Sequence, residues 1–150
     1  MTTPNFNSVG AWAKRFHLAA RSAIETTLRD YDVGATQWYV LWHLNHDGAL
    51  AQAEILKLLQ IEKATLSGVV SALVRKGLVK QETDPKDHRR KLLSITPTGR
   101  ALWKKLPDPI DTIRKTAFEG IPKNDLETTV RVLRTGTEQL NNLLKNGKEI

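Results

Sequence analysis

The stretch ATLSGVVSALVRKGLVKQETDPKDHRRKLLSITPTG, residues 64–99, decides the fold. Its first part carries apolar residues at three-to-four spacing, which predicts an amphipathic helix over 62–76 that ends at Gly77. Two strand-like runs follow, LVKQET (78–83) and KLLSIT (91–96), and a short charged segment joins them. The stretch therefore predicts a helix followed by a two-stranded hairpin with a charged tip.

Three helices are predicted upstream of this stretch, at about 8–31, 35–46 and 51–59. The predicted order is two short helices, a turn, a further helix and then a hairpin. This is the order of the winged helix-turn-helix, in which the later helix enters the major groove of DNA. The hairpin is the wing. We therefore expect a winged helix-turn-helix over about 35–100.

The chain turns helical again after the hairpin. Thr96 followed by Pro97 is a helix start, with threonine as the N-cap and proline at the first helical position. Pro107 and Pro109 each remove a backbone donor and obstruct the preceding turn, so we expect a break there and a helix that resumes at about 110–119.

A last helix is predicted at about 123–145. Its apolar positions alternate spacings of four and three, the pattern of a coiled-coil seam: Leu126, Val130, Leu133, Thr137, Leu140 and Leu144. The predicted fold class is therefore mainly α with a small two- to three-stranded β wing. A length of 150 residues with 40% hydrophobic content predicts a single domain over 1–150.

The charge of the chain is concentrated in one third of its length. The formal net charge is +7, and residues 61–105, with 11 basic and 4 acidic side chains, hold all of this surplus. A basic surplus of this size favours an anionic partner, either nucleic acid or an anionic membrane surface. No apolar run approaches the roughly 20 residues that span a bilayer, and the N-terminal residues lack a signal-peptide pattern. We therefore expect a soluble, cytoplasmic protein without a membrane partner.

The exposed face of helix 62–76 is small and hydroxylated, which lets backbone and base edges approach closely. Gly68 lies in the middle of this helix, where glycine costs roughly 1 kcal/mol relative to alanine. Either close approach to DNA or close packing of a neighbouring helix would explain it. The predicted DNA-contacting residues of this helix are Lys63, Ala64, Thr65, Ser67, Gly68, Ser71 and Arg75.

The charged tip suits a DNA-contacting wing, because lysine and arginine on a protruding loop neutralise phosphates and an arginine can enter a narrow minor groove. Asp87 and Arg89 are two residues apart, so their side chains can pair and pre-orient the guanidinium group. Asp84 and Asp87 are both expected to be solvated and ionised, which excludes general-acid catalysis. The predicted wing contacts are Lys86, Asp87, Arg89, Arg90 and Lys91. A solvated turn of mixed charge is the alternative.

Residues 64–99 resemble the multiple-antibiotic-resistance regulator (MarR) family of bacterial and archaeal transcription factors. They are similar to its recognition helix, its Leu-x-x-x-Gly-Leu-Val junction and its Asp-x-Arg-Asp-x-Arg wing followed by Leu-Thr-x-x-Gly. The resemblance implies that Arg89 is the minor-groove arginine, that Asp87 orients it, and that Thr65, Ser67 and Gly68 read bases. Lys86 departs from the family pattern, since arginine is usual there, and the exchange keeps the charge but loses the planar fork.

The resemblance also implies how the protein acts. Members of the family are homodimers joined through their first and last helices, here about 8–31 and 105–147. They regulate genes, often as repressors, from pseudo-palindromic sites on double-stranded DNA. Many release DNA when a small phenolic or other lipophilic anion binds. Two other functions stay open at this point: a nucleoid-like DNA-binding protein of low specificity, and a winged-helix protein–protein adaptor.

The sequence contains two further candidate sites. Four aromatic side chains and one arginine could line an effector pocket, although tryptophans at helical spacing usually fill a core: Trp12, Arg15, Phe16, Trp38 and Trp42. His43 and His46 have a metal-binding spacing, but no cysteine and no matching ligand pair accompany them, so we expect no metal. No phosphate-binding glycine loop, zinc motif or nucleophile elbow occurs, so we expect neither a cofactor nor an enzyme.

Overall fold

The computed structural model describes residues 6–147 of the 150-residue chain. The described residues form two compact units, which divide between Ile110 and Asp111. Among the described residues, no helix is both long and apolar enough to cross a membrane.

The first unit contains five complete helices and three strands in the order expected for a winged helix-turn-helix. A 3₁₀ turn, Arg29–Tyr31, follows the first helix, so the predicted helix 8–31 ends slightly earlier than expected. The elements are α1 (Val9–Leu28), α2 (Ala35–Asp47), β1 (Leu50–Ala51), α3 (Gln52–Leu59), α4 (Lys63–Arg75), β2 (Val79–Thr83), β3 (Lys91–Ile95) and α5 (Pro97–Lys105).

The strands form one antiparallel sheet in the order β1-β3-β2. Strand β3 lies in the centre, where Leu93 is opposite Leu50 of β1 on one side and Gln81 of β2 on the other. Leu93 is fully buried and joins the side chains of α2, α3 and α4 in one core. That core consists of Val40, Leu41, Leu44, Ile55, Leu66, Val70, Leu73, Leu78, Val79, Leu93 and Ile95.

Thr96 and Gly99 connect the wing to α5. The hydroxyl group of Thr96 accepts a hydrogen bond from the Gly99 backbone N–H (3.0 Å) and donates one to the Gly77 carbonyl (2.6 Å), as an N-cap that also holds the end of α4. A Cβ atom at Gly99 would overlap the backbone carbonyl of Leu78 and the side chain of Ile95. Only glycine fits there, which explains the Thr-Pro-x-Gly pattern at this point of the sequence.

The helix break predicted at the proline pair is confirmed. Helix α5 ends at Lys105, and α6 (Pro109–Ala117) begins at the second proline. The second unit is completed by α7 (Lys123–Lys145), which matches the predicted last helix. No residue of α7 is buried, so the apolar residues of its seam lie at the surface of the single chain.

Candidate nucleic-acid interface

Helix α4 presents one side to the core and the other to solvent. Leu66, Val70 and Leu73 are buried. The residues predicted to contact DNA are all exposed: Lys63, Ala64, Thr65, Ser67, Gly68, Ser71 and Arg75. The apolar stripe therefore anchors the helix and leaves a small, hydroxylated face open to a partner.

Gly68 lies on this open face. A Cβ atom built at Gly68 meets nothing within 4 Å in the described part of the chain. Of the two explanations for a mid-helix glycine, packing against a neighbouring helix of the same chain is therefore wrong. Close approach of an external partner remains.

The C-terminal end of α4 is fixed by Lys76. Its ammonium group donates hydrogen bonds to the backbone carbonyl of Asp32 (2.5 Å) and to the side-chain oxygen of Gln37 (3.0 Å), and it lies 3.4 Å from the Asp32 carboxylate. Gln37 in turn accepts a hydrogen bond from the Gly34 backbone N–H at the start of α2. Part of the basic surplus therefore stabilises the domain internally.

The wing tip, residues 84–90, is a folded loop. Its first residue, Asp84, is only 8% exposed, which corrects the expectation that this carboxylate is solvated. The reason is that the loop closes around it: the Asp84 carboxylate accepts a hydrogen bond from the Lys86 backbone N–H (2.9 Å), and the Asp84 N–H donates to the Arg90 carbonyl (2.9 Å). Asp84 therefore shapes the tip.

Asp87 and Arg89 pair as their spacing predicted. The Asp87 Oδ1 atom accepts hydrogen bonds from the Arg89 backbone N–H (3.1 Å) and from its side-chain Nε (3.3 Å). The Arg89 side chain is 92% exposed, so the pair holds the guanidinium group at one end and leaves the rest of it open. The arrangement presents a cation outward from the tip.

Arg90 differs from the other predicted wing contacts. Its guanidinium group bonds to Glu54 of α3 (Nη2 to Oε1, 3.0 Å) and lies 4.0 Å from the Asp84 carboxylate. Lys86 and Lys91 are exposed, and Lys91 donates to the Thr83 hydroxyl group at 3.4 Å. The structure thus separates Arg90, which is paired inward, from Lys86, Arg89 and Lys91.

Helix α4 and the wing resemble parts of known proteins. A sequence model of the MarR family matches residues 31–90, which include α2, α3, α4 and the wing. The chain is 33% identical over 73 residues to the HTH-type transcriptional repressor NicR of Pseudomonas putida, a match over 49% of this chain and 46% of NicR. It is 31% identical over 75 residues to the multiple antibiotic resistance protein MarR of Salmonella typhimurium, over 50% of this chain and 52% of that protein.

A structural match extends over most of the chain. The fold superposes on BpsR of Bordetella bronchiseptica, whose DNA binding is regulated by 6-hydroxynicotinic acid, with a TM-score of 0.79 and 27% identity. This match covers 91% of the present chain and 98% of the BpsR chain. Residues 31–90 therefore match the MarR family in sequence, and the fold of most of the chain is that of BpsR. In sequence, it matches about half the length of the curated relatives, and these relatives are regulators rather than enzymes.

The residues predicted to line an effector pocket lie in two groups. Trp38 is buried and packs against Trp103 of α5, with ring centroids 5.5 Å apart. Trp42, on the next turn of α2, stacks on His46 at 4.3 Å. Trp103 was not among the predicted residues, because its contact with Trp38 depends on the packing of α5 beside α2.

The second group lies on the first half of α1. The Arg15 guanidinium group lies 4.7 Å from the Trp12 ring, an exposed cation–π contact, and also donates to the Phe6 carbonyl (2.6 Å). Phe16 is 44% exposed on the same helix. Trp38 therefore fills the core, as the alternative interpretation predicted, whereas Trp12, Arg15 and Phe16 lie at the surface.

The two histidines of α2 have local partners. His43 lies 3.5 Å from the Asp47 carboxylate, and His46 Nδ1 lies 2.8 Å from the Trp42 carbonyl. Within residues 6–147, no group of three or more histidine, aspartate or glutamate side chains is placed to hold a metal ion.

Proposed function

We propose that this chain is a sequence-specific, double-stranded-DNA-binding transcriptional regulator. The observation that carries the proposal is the pairing of two exposed elements: the small, hydroxylated face of α4 and the outward guanidinium group of Arg89 on the wing. A helix with such a face fits the major groove, where serine and threonine hydroxyl groups bond base edges or phosphates. An arginine on a wing fits a narrow minor groove, where the negative potential is deepest.

The basic surplus supports the same function. Lys63, Arg75, Lys86 and Lys91 are exposed on or beside these two elements, and each can neutralise a phosphate. Phosphate contacts fix the register of a protein on the duplex, and base contacts select the sequence. On α4 and the wing, the chain has both cations that can neutralise phosphates and hydroxyl groups that can bond base edges.

We propose that the regulator is a homodimer. Val9, Trp12 and Phe16 on α1 are 63%, 54% and 44% exposed, and the seam of α7 is exposed as well. Apolar surfaces of this kind are typical of interaction sites. A two-fold dimer presents two recognition helices related by symmetry, so its operator is pseudo-palindromic.

We further propose that the chain is a repressor released by a small aromatic anion. NicR is named a repressor, and 6-hydroxynicotinic acid, a hydroxylated aromatic acid, regulates DNA binding by BpsR. In this chain, Trp12 and Phe16 offer aromatic surfaces, and Arg15 offers a cation that pairs with a carboxylate. Trp42, at 36% exposure, is a further surface aromatic residue.

The test of DNA recognition begins with selection of a preferred duplex from a random-sequence pool. The affinity for that duplex is then compared with the affinity for a scrambled duplex over a range of salt concentrations. A regulator binds its preferred site at least about 1,000-fold more tightly. Equal affinities would support a nucleoid-like protein of low specificity instead, and no binding to any duplex would support a protein–protein adaptor.

The effector proposal is tested with 6-hydroxynicotinic acid as the probe. We expect the probe to weaken binding to the selected duplex and to change the tryptophan fluorescence of the free protein. Arg15→Gln should reduce the response to the probe and leave DNA affinity in its absence unchanged. Arg21→Gln is the matched control, because Arg21 bonds to Thr36 and lies near Glu25 instead. No response to the probe would rule out this effector.

A further inference from the structure

Two adjacent arginines of the wing have different environments. The Arg89 side chain is 92% exposed and pairs with one carboxylate, that of Asp87. The Arg90 side chain is 44% exposed and lies between two carboxylates, those of Glu54 at 3.0 Å and Asp84 at 4.0 Å. Asp84 itself is nearly buried, so its position is set by the loop.

Glu54 is held in place from its other side. It is the third residue of α3, and its second oxygen, Oε2, accepts a hydrogen bond from the Ala51 backbone N–H at 3.3 Å, closing the first turn of the helix. A carboxylate at this position is also favoured by the helix dipole. The Glu54 side chain is therefore a fixed acceptor at the start of the helix-turn-helix, and the Arg90 guanidinium group binds to it.

Phosphate binding by Arg90 would have a specific consequence. Its single positive charge already faces two negative charges, so a phosphate would have to compete with Glu54 and Asp84 for it. If Arg90 moved to the phosphate, the Glu54 carboxylate would lose its partner next to DNA. An unpaired carboxylate next to phosphate groups is unfavourable, because like charges repel each other.

We propose that Arg90 is a positioning residue, which fixes the wing tip against α3, and is not a phosphate contact. This inference rests on the proposed DNA-binding function and assigns separate roles to the two arginines. The hydrogen bond between Gln81 of β2 and Gln52 of α3 (2.8 Å) connects the same two elements at a second point. With the wing held to α3, Arg89 and the recognition face of α4 meet DNA in one fixed arrangement, which lowers the entropy lost on binding.

The sharpest test is Glu54→Gln, measured as affinity for the selected duplex. Removal of an acid close to DNA strengthens binding if only net charge matters. If Glu54 holds Arg90, the same substitution weakens binding, by about three- to fivefold for a half-exposed ion pair. Glutamine keeps an oxygen for the Ala51 N–H, so the first turn of α3 is preserved. Glu82→Gln is the matched control: it removes a wing carboxylate that pairs with Lys80 instead, and we expect binding to be unchanged or slightly tighter.

The salt dependence of binding separates a positioning residue from a phosphate contact. Each phosphate contact that is lost reduces the slope of log K against log salt concentration by about 0.9. We expect Arg90→Gln to weaken binding with the slope unchanged, whereas Lys91→Gln reduces the slope. The double variant Glu54→Gln/Arg90→Gln should bind no more weakly than either single variant, because both remove the same interaction.

Tighter binding by Glu54→Gln, or a slope reduced equally by Arg90→Gln and Lys91→Gln, would overturn the proposal. Failure of the wild-type protein to bind any duplex would instead refute the DNA-binding function.

Hydrogen exchange tests the positioning role of Arg90 in the free protein, and so does not depend on DNA binding. Both Glu54→Gln and Arg90→Gln should accelerate exchange of the wing-tip amides, residues 84–90, and leave α2 unaffected. Unchanged exchange in both variants would contradict it.

Discussion

Helices α4 and α7 are both amphipathic, but they use their apolar stripes in opposite ways. In α4, Leu66, Val70 and Leu73 are at most 1% exposed, and the polar face is open. In α7, Val130 and Leu140 are 61% and 55% exposed, and no residue is buried. The first helix is complete within one chain and offers a polar surface to a ligand. The second offers an apolar surface, which in water favours a protein partner.

The two helices therefore suit different kinds of partner. A polar face with hydroxyl groups and cations suits DNA, and an apolar seam with alternating spacings suits another helix. Substitutions on the two helices should have different readouts. Those on the seam of α7 should change the assembly state, and those on the buried side of α4 should change the stability of the fold.

The largest effect is expected for Leu140→Glu on the α7 seam. In a two-fold dimer this substitution places one glutamate from each chain in an apolar interface, which costs more than about 4 kcal/mol if both stay charged and unpaired. We expect the wild-type protein to sediment as a dimer and the variant to sediment as a monomer at micromolar concentration. The helical content, measured by far-ultraviolet circular dichroism, should stay within the native range.

Val132→Glu is the control for this prediction. Val132 is 45% exposed on the same helix but lies outside the seam, so its replacement should leave the dimer intact. Equal masses for the wild-type protein and Leu140→Glu would mean that the α7 seam is not the interface, and the comparison of the two helices would then fail.

A smaller effect, on folding, is expected for Leu73→Ala on the buried side of α4. Leu73 is fully buried, and truncation of a buried leucine to alanine lowers the free energy of unfolding by about 2–5 kcal/mol. The measurement is urea unfolding at fixed protein concentration, because the stability of a dimer depends on concentration. Val74→Ala is the control: its side chain is 40% exposed, so a loss of less than about 0.5 kcal/mol is expected. Equal losses of unfolding free energy in the two variants would show that the buried apolar side of α4 does not stabilise the fold more than its exposed side.

The sequence was sufficient for α4 because its pattern is local. Periodicity located the buried stripe, Gly77 ended the helix, and the Thr-Pro-x-Gly pattern located the start of α5. The pairing of Asp87 with Arg89 followed from a separation of two residues. Each of these features depends on neighbours within a few positions, and such neighbours can be read from the chain.

Features that depend on distant contacts were not predicted. Arg90 and Glu54 are 36 residues apart, and Lys76 and Asp32 are 44 apart, so no local pattern connects them. Asp84 was expected to be solvated because the tip is highly charged, yet the closure of the loop buries it. The missed Trp103 belongs to the same class, because it meets Trp38 only once α5 has packed beside α2. Tertiary packing determined each of these.

Glycine substitutions in α4 and α7 should change the free energy of unfolding by about 1 kcal/mol. Gly68 of α4 and Gly136 of α7 are both in helix interiors, and a Cβ atom at either position meets nothing within 4 Å in the described chain. Alanine at either position should therefore raise the free energy of unfolding by about 1 kcal/mol. Gly68→Ala should in addition weaken binding to the selected duplex, because the added methyl group lies on the side of α4 that we propose contacts DNA. If Gly136→Ala instead lowers the free energy of unfolding, we would infer that a dimer partner packs against that position.

The smallest effect is expected at Asp111 of α6, where stability depends on local ion pairs. Hydrogen bonds from Lys115 (2.8 Å) and Arg114 (2.7 Å) lower the pKa of the Asp111 carboxyl group below its ordinary value of 3.8. Because the folded-state pKa is the lower one, the stabilisation is present above pH 3.8 and is lost as the pH falls through the folded-state pKa. A carboxyl-detected NMR titration should give a midpoint below 3.8 for Asp111, and Lys115→Gln should raise it. A midpoint at or above 3.8 would show that these pairs do not persist in solution.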